Sequence, residues 1–303
     1  MTTTLDAAAA GTAASGAGAL ASLYLRLAGS CEALSVRVAG VDGTPSTAAT
    51  TVTATGPTGT GVTGTSVTGA DLAQRPEALD AFVDAESARI REQHGHTPRR
   101  EVAASRALHD YLWSVSLLMS GAWYLERRVP RIRPADIRLD LATTVFEVTA
   151  GSRFACLPGD PAADSPSPGV RVVADEEALR AELRAAVVDH MRPLLTAIGP
   201  YARRGPRALW GMAADDLISG IWYLGRVLGQ EERAVSAATG LLPTAMAPFP
   251  GAADFRRLSG REGRQYPTRT RLGCCLYYAL DAALPCGTCP RTCDAERLRR
   301  LEG

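Results

Sequence analysis

Apolar positions recur at helical spacing in four long stretches of the 303-residue chain. Leu79, Phe82, Val83 and Ile90 share one face. Pro76 suits the first turn and Gly95 the stop, so a helix is expected between them. A second helix is expected from about Pro98 to Arg128. A third follows Asp175, a good N-cap with acids behind it, and carries the stripe Leu179, Leu183, Val187, Leu194 and Ile198. A fourth runs from Pro206 to about Gly229. Residues 16–38 read as one or two shorter Ala/Leu-rich helices. Between the second and third helices the period changes. Ile137, Leu139 and Leu141 alternate, and TTVFEVTA is β-branched and aromatic, so two strands are expected within 137–157. Residues 157–170 read as a loop, and 253–272 as a further small sheet. The pattern as a whole predicts a helix-dominated α+β fold with a small β-sheet.

Composition interrupts this pattern once. Residues 40–69 are Thr, Gly, Ser, Val and Pro with almost no charge, the signature of a low-complexity insert. GTGVTG at 59–64 matches G-x-G-x-x-G in form only. A dinucleotide site needs a strand before it and a helix opening on it, and no helix is expected before about Asp71. SGAWYL at 120–125 and SGIWYL at 219–224 share five of six residues, either an internal duplication or two core helices converging on similar packing. His190 lies on the apolar stripe of the third helix and reads as a packed, hydrogen-bonded core residue. His109, beside Asp110, reads the same way.

All 33 basic residues are Arg, and lysine is absent. That excludes a P-loop lysine, a Schiff base and a pyridoxal phosphate anchor. The net charge of +1 argues against nucleic acid as a partner. No transmembrane segment is expected: the best apolar run, Leu112 to Leu125, falls short of the ~20 residues a span needs. The N-terminus makes a poor signal peptide, so a cytoplasmic location is expected, where clustered thiols suggest metal or redox chemistry before disulfides.

Five of the seven cysteines lie between Cys274 and Cys293. Cys274 and Cys275 are adjacent, ten residues separate Cys275 from Cys286, and two separate Cys286 from Cys289. Cys31 and Cys156 stand apart and read as small apolar residues. Structural zinc takes two knuckles of spaced cysteines, and only one is present here. The adjacent pair can reach one centre only if the backbone bends, which Gly273 would permit. A [2Fe–2S] rhomb accepts two thiolates per iron and fits such a pair more easily, but zinc remains open on this chemistry alone. Arg256, Arg257, Arg261, Arg264, Arg269 and Arg271 precede the cysteines. They read as a solvated face or as an attraction for an anionic group near the metal, with Arg264, Arg269 and Arg271 as candidate substrate-binding residues.

CC-x10-C-x2-C followed by Pro290, here CCLYYALDAALPCGTC, resembles the C-terminal motif of the FhuF-type ferric siderophore reductases. The aromatic pair after the double cysteine and Ala-Leu-Trp-Gly at 208–211 are similar too, while the likeness over residues 75–258 is looser. The resemblance implies that Cys274, Cys275, Cys286 and Cys289 bind a [2Fe–2S] cluster, with the extra Cys293 as an alternative ligand. It implies a cytoplasmic reductase that takes a ferric siderophore and releases Fe(II). Electrons would come from an external ferredoxin or reductase, and transient contact with a siderophore transporter would fit. The expected organisation is then a helical segment 1–39, an insert 40–69, a siderophore-binding-like domain 70–258 and an iron–sulfur segment 259–303. The rival classes are a siderophore-binding or biosynthetic module with structural zinc, and a general electron-transfer protein.

Overall fold

The computed structural model describes residues 18–40, 66–164, 169–280 and 285–303. Most of the insert at 40–69, including GTGVTG, lies outside the described residues. The fold is α+β and helix-dominated, with small sheets. Among the described residues, no helix is long and apolar enough to cross a membrane. The chain divides into two compact units, Met1–Phe82 with Ser114–Ala197, and Val83–Trp113 with Ile198–Gly303. This discontinuous division differs from the consecutive order expected from composition.

The first unit opens with helix α1, 18–30, followed by β1 (Val36–Val38), so helix does not extend to 38. The end of the expected insert is ordered. Strand β2 (Ser66–Thr68) leads into α2 (Gly69–Gln74), where Thr68 and Asp71 cap each other reciprocally. Helix α3 (Pro76–His94) begins in this unit and runs into the second, and α4 (Arg100–Glu126) begins in the second and ends in this one. The region expected to hold two strands holds three, β4 (Ile137–Asp140), β5 (Phe146–Val148) and β6 (Phe154–Cys156). Short β3 (Val129–Pro130) precedes them and β7 (Val170–Val172) follows. They form two sheets, ordered β1-β5-β4-β2 and β3-β6-β7. Turns shorter than a sequence window separate these strands, which is why alternation alone merged them.

Helix α5 (Glu176–Ala202) starts as expected, with Asp175 Oδ1 accepting the Ala178 N–H at 2.8 Å. Cys31 and Cys156 are fully buried in this unit, as their isolation suggested. His190 is also buried. Its Nδ1 lies 2.9 Å from the Ile132 carbonyl. Burial holds its pKa down at about 4, against opposing pulls from that hydrogen bond and from the Asp136 carboxylate.

The second unit contains α6 (Pro206–Val227), α7 (Glu231–Leu241), the hairpin β8 (Phe255–Ser259) and β9 (Gln265–Arg269), and α8 (Asp294–Glu302). The expected boundary at 258/259 falls inside that hairpin, where Leu258 pairs with Tyr266 and Ser259 with Gln265. Helix α7 escaped the sequence reading because its buried face is mostly Ala234 and Ala238, which leave little hydrophobic signal. The two SGxWYL segments pack by different contacts. A Cβ on Gly121 would lie 2.7 Å from the Leu27 side chain. Trp222 donates its indole N–H to Glu231 at 2.8 Å and meets the Phe255 ring edge-on.

Close approach of α6 and α7 depends on Gly225, where an added Cβ would overlap Ala234 Cβ and lie 3.1 Å from the Gln230 carbonyl oxygen. Gly225→Ala should gain about 1 kcal/mol of helix propensity but lose more to overpacking, about 1–3 kcal/mol. Thermal unfolding should therefore show a lower Tm, and an unchanged or raised Tm would refute the tight helix contact. His190 gives a pH signature. Between pH 6.5 and about 4 the unfolded chain binds a proton at this residue that the native chain does not. Stability should be full above pH 6.5 and fall by about 3 kcal/mol as the pH drops to 4. Denaturant titrations at stepped pH on wild type and His190→Gln would read this, because the variant should lose that part of the slope.

Candidate metal centre

Helix α6 carries Ala-Asp-Asp-Leu in an otherwise apolar stretch, and both carboxylates are fully buried. Adjacent residues on a helix point about 100° apart, so each takes different partners. Asp215 accepts from Arg269 at 2.7 Å and from the Gly273 N–H at 2.7 Å. Asp216 accepts from Arg271 at 2.5 Å, and its other oxygen lies 2.9 Å from His109 Nδ1. Arg269 is completed by the Ala253 carbonyl and by the Ser219 hydroxyl, the first residue of SGIWYL. Burial pushes Asp215 up and Arg269 down, while Arg269, Arg271 and the backbone pull the carboxyl back. For Asp216, burial is outweighed by Arg271 and His109, and its pKa falls.

These contacts correct the expectation for the arginines. Arg269 and Arg271 are buried and tied to carboxylates rather than part of a solvated face. Only Arg264 of the three candidates is exposed, stacked over the Tyr266 ring at 5.0 Å. Among the others, Arg256 pairs with Asp294 and Arg257 with Glu232. His109 is hydrogen-bonded as expected, to buried Asp216, though it is not itself fully buried. The sequence signal that could have found this network was the Asp-Asp pair inside an apolar helix, which demands buried partners.

Arg269, Arg271 and Gly273 lead directly into Cys274. Gly273 is required for closeness rather than for bending: a Cβ there would lie 2.8 Å from Met212 Cγ and 3.0 Å from Met212 N. The residue that bends the chain is Leu276, at φ 62°, after which Tyr277–Ala279 forms a single 3-10 turn. That bend aims backbone at sulfur. The Leu276 N–H bonds Cys274 and the Tyr277 N–H bonds Cys275.

The second segment is a tight knuckle. Cys289 N–H donates to the Cys286 carbonyl at 2.9 Å, and Thr292 N–H to the Cys289 carbonyl at 3.0 Å. The knuckle is tied to the strand side by Arg271 N–H on the Thr288 carbonyl at 2.9 Å. From α8, buried Arg297 donates to the Gly287 carbonyl at 2.9 Å and the Cys289 carbonyl at 2.7 Å, and also holds Thr270 and Asp294.

The two segments place the thiols in two hydrogen-bonded pairs, Cys275 with Cys286 and Cys274 with Cys289. Cys275 and Cys289 are buried, Cys274 and Cys286 half-buried. The hydrogen bond from Cys286 pulls the Cys275 thiol down, aided by His109 and Arg106, and the same bond pushes Cys286 up. Burial pushes Cys274 up. Arg106 of α4 bonds Cys275, pairs with Asp110 at 3.1 Å and lies over the Tyr277 ring. Cys293 is exposed at the start of α8. Among the described residues, no group of three or more His, Cys, Asp or Glu side chains is drawn together as a site for one ion. The donor set still suits a group that takes two thiolates at each of two metal atoms. The sulfurs interact as two pairs, with backbone N–H groups of Leu276 and Tyr277 and the Arg106 guanidinium near them.

No protein-family model matches the chain, and no curated protein matches it.

Asp215→Ala should leave Arg269 buried without its carboxylate and Gly273 without its acceptor. A loss of about 3–5 kcal/mol is expected in urea unfolding. Asp294→Ala removes a half-exposed partner of Arg256 and Arg297 and should cost about 1 kcal/mol or less. Equal effects of the two variants would contradict the role given to the buried pair.

Proposed function

We propose that this chain is a ferric siderophore reductase of the FhuF type, with Cys274, Cys275, Cys286 and Cys289 holding a [2Fe–2S] cluster. The observation that carries the reading is the CC-x10-C-x2-C spacing of these four cysteines, with Cys275 set beside Cys286 and Cys274 beside Cys289. Bound there, a cluster supplies a carrier for one electron at a time.

The chain's own residues serve that task in three ways. Arg106 and Arg271 place positive charge near Cys275, which favours thiolate and stabilises added negative charge. Asp215, through Gly273, and Arg297, through Gly287 and Cys289, hold the two cysteine segments in place. The half-buried Cys274 and Cys286 leave an edge near solvent for exchange with substrate and donor. The substrate is siderophore-bound Fe(III). One electron converts it to Fe(II), a softer ion of lower charge that hard oxygen donors hold far more weakly, so reduction is release. A separate ferredoxin or reductase supplies the electron, and the reaction belongs in the cytoplasm.

Anaerobically purified protein should be red-brown, carry about two irons and two sulfides per chain and bleach with dithionite. Reduced protein should then release Fe(II) from ferric siderophores to a ferrous chelator. Cys286→Ala should lose colour and reduction together, while Cys293→Ser should keep both. A colourless protein with one zinc per chain would overturn the proposal.

A further inference from the structure

The first unit has a cavity of its own, of about 420 Å³, between the β3-β6-β7 sheet and α5. Three guanidiniums line it from the strands. Pro130 pairs with Phe154, and the Arg131 N–H donates to the Arg153 carbonyl at 2.9 Å, so Arg131 and Arg153 stand on neighbouring strands. On the other side of β6, Arg171 is level with Ala155, two residues along from Arg153. Arg153, Ala155 and Arg171 therefore project from one face, by the alternation of strand residues. The opposite wall is α5, which presents Glu182, Ala186, Asp189 and His190. Ile132, Phe154, Ala155 and Val170 make the remainder largely apolar.

Like charges on adjacent strands repel unless something neutralises them. Arg131 is neutralised by Glu182 and by Asp189 at 3.1 Å, and Arg171 by Glu182 at 2.7 Å. Arg133, at the rim, is neutralised by Asp136. Arg153 is exposed, and its guanidinium has no carboxylate partner among the described residues. Counting Arg131, Arg133, Arg153 and Arg171 against Glu182, Asp189 and Asp136 gives 4 − 3 = +1, and that surplus sits at Arg153. The sheet also closes tightly beside it: a Cβ on Gly169 would lie 2.5 Å from the Ser152 carbonyl oxygen. Thus the cavity edge next to Arg153 is shaped by backbone rather than filled by a side chain.

We propose that this cavity is a binding site for a small molecule with one oxyanion group, carboxylate or phosphoryl, on an apolar body. The oxyanion meets Arg153 in the planar, two-point geometry that guanidinium offers to both groups. The unused donors of Arg171 lie on the same face. The body rests against Ala155 and, on the α5 side, Ala186. Glu182, already held by two arginines, blocks a second anion from the α5 side, so a monoanion fits better than a polyanion. The cavity volume is within the range of small-molecule pockets, about 300–1,000 Å³. The inference uses only residues of the first unit and is independent of the cysteine chemistry.

The test is calorimetric titration of the full-length protein with benzoate and, separately, phenyl phosphate, with glycerol as a neutral control. Saturable one-to-one binding of at least one anion is expected, and the tighter arm identifies the anion class. Arg153→Glu should weaken binding at least tenfold and Arg153→Lys by less, since the charge remains and the fork is lost. Both variants should melt as the wild type does, because Arg153 is exposed, and Arg153→Ala serves if the reversed charge disturbs folding. Cys286→Ala should bind as the wild type does. No saturable binding of either anion, or equal binding by Arg153→Glu and wild type, would overturn the proposal.

Discussion

The cysteine segments depend on two buried carboxylates. Asp215 and Asp216 sit side by side in α6, and neither reaches water. A buried charge is tolerable only with matched partners. Those partners are Arg269, the last residue of β9, and Arg271, two residues beyond it, so the strand's register sets where both cations stand. A slip of one residue in β9 would bury two unpaired carboxylates and turn two guanidiniums the wrong way. The arrangement contributes little as net stability and much as register. It fixes where the chain stands when it reaches Gly273, and hence where Cys274 and Cys275 begin.

The double cysteine succeeds without a spacer because its geometry is set on both sides. Upstream, Gly273 lies so close to Met212 that a side chain would not fit, and its N–H is held by Asp215. Downstream, left-handed Leu276 turns successive N–H groups back onto the two sulfurs. The knuckle opposite is held from α8 by a single buried guanidinium, Arg297, which takes two carbonyls of that knuckle at once. Arginine suits this position because its donors form a rigid fork. The Ala-Leu-Trp-Gly stretch belongs to the same construction, since Gly211 is the α6 residue whose added Cβ would meet Leu272 and Gly273.

Charge follows the same economy in both units. Without lysine, every cation is a planar guanidinium, and most are committed to a carboxylate, a carbonyl or an aromatic ring. Those left uncommitted stand out against that background, Arg153 at the cavity of the first unit above all.

Helices with large apolar residues at regular spacing were legible from sequence, as α3, α4, α5 and α6 attest to within a few residues. So were the cysteine spacing, the capping role of Asp175 and the burial of Cys31 and Cys156. These are local facts, written in period, composition and propensity. Alanine-faced α7 and the short strands β3 and β7 lacked that local signal. The roles of Arg269 and Arg271 were decided elsewhere, because an arginine is a surface cation or a buried tie according to what lies opposite it. What lies opposite is Asp215 and Asp216, more than 50 residues away along the chain. The sequence by itself determined that thiols would cluster and which spacing they would have. Only the tertiary structure decided which pair together, which cations face them and which cation is left to meet a ligand, because those depend on long-range charge pairing that no local pattern encodes.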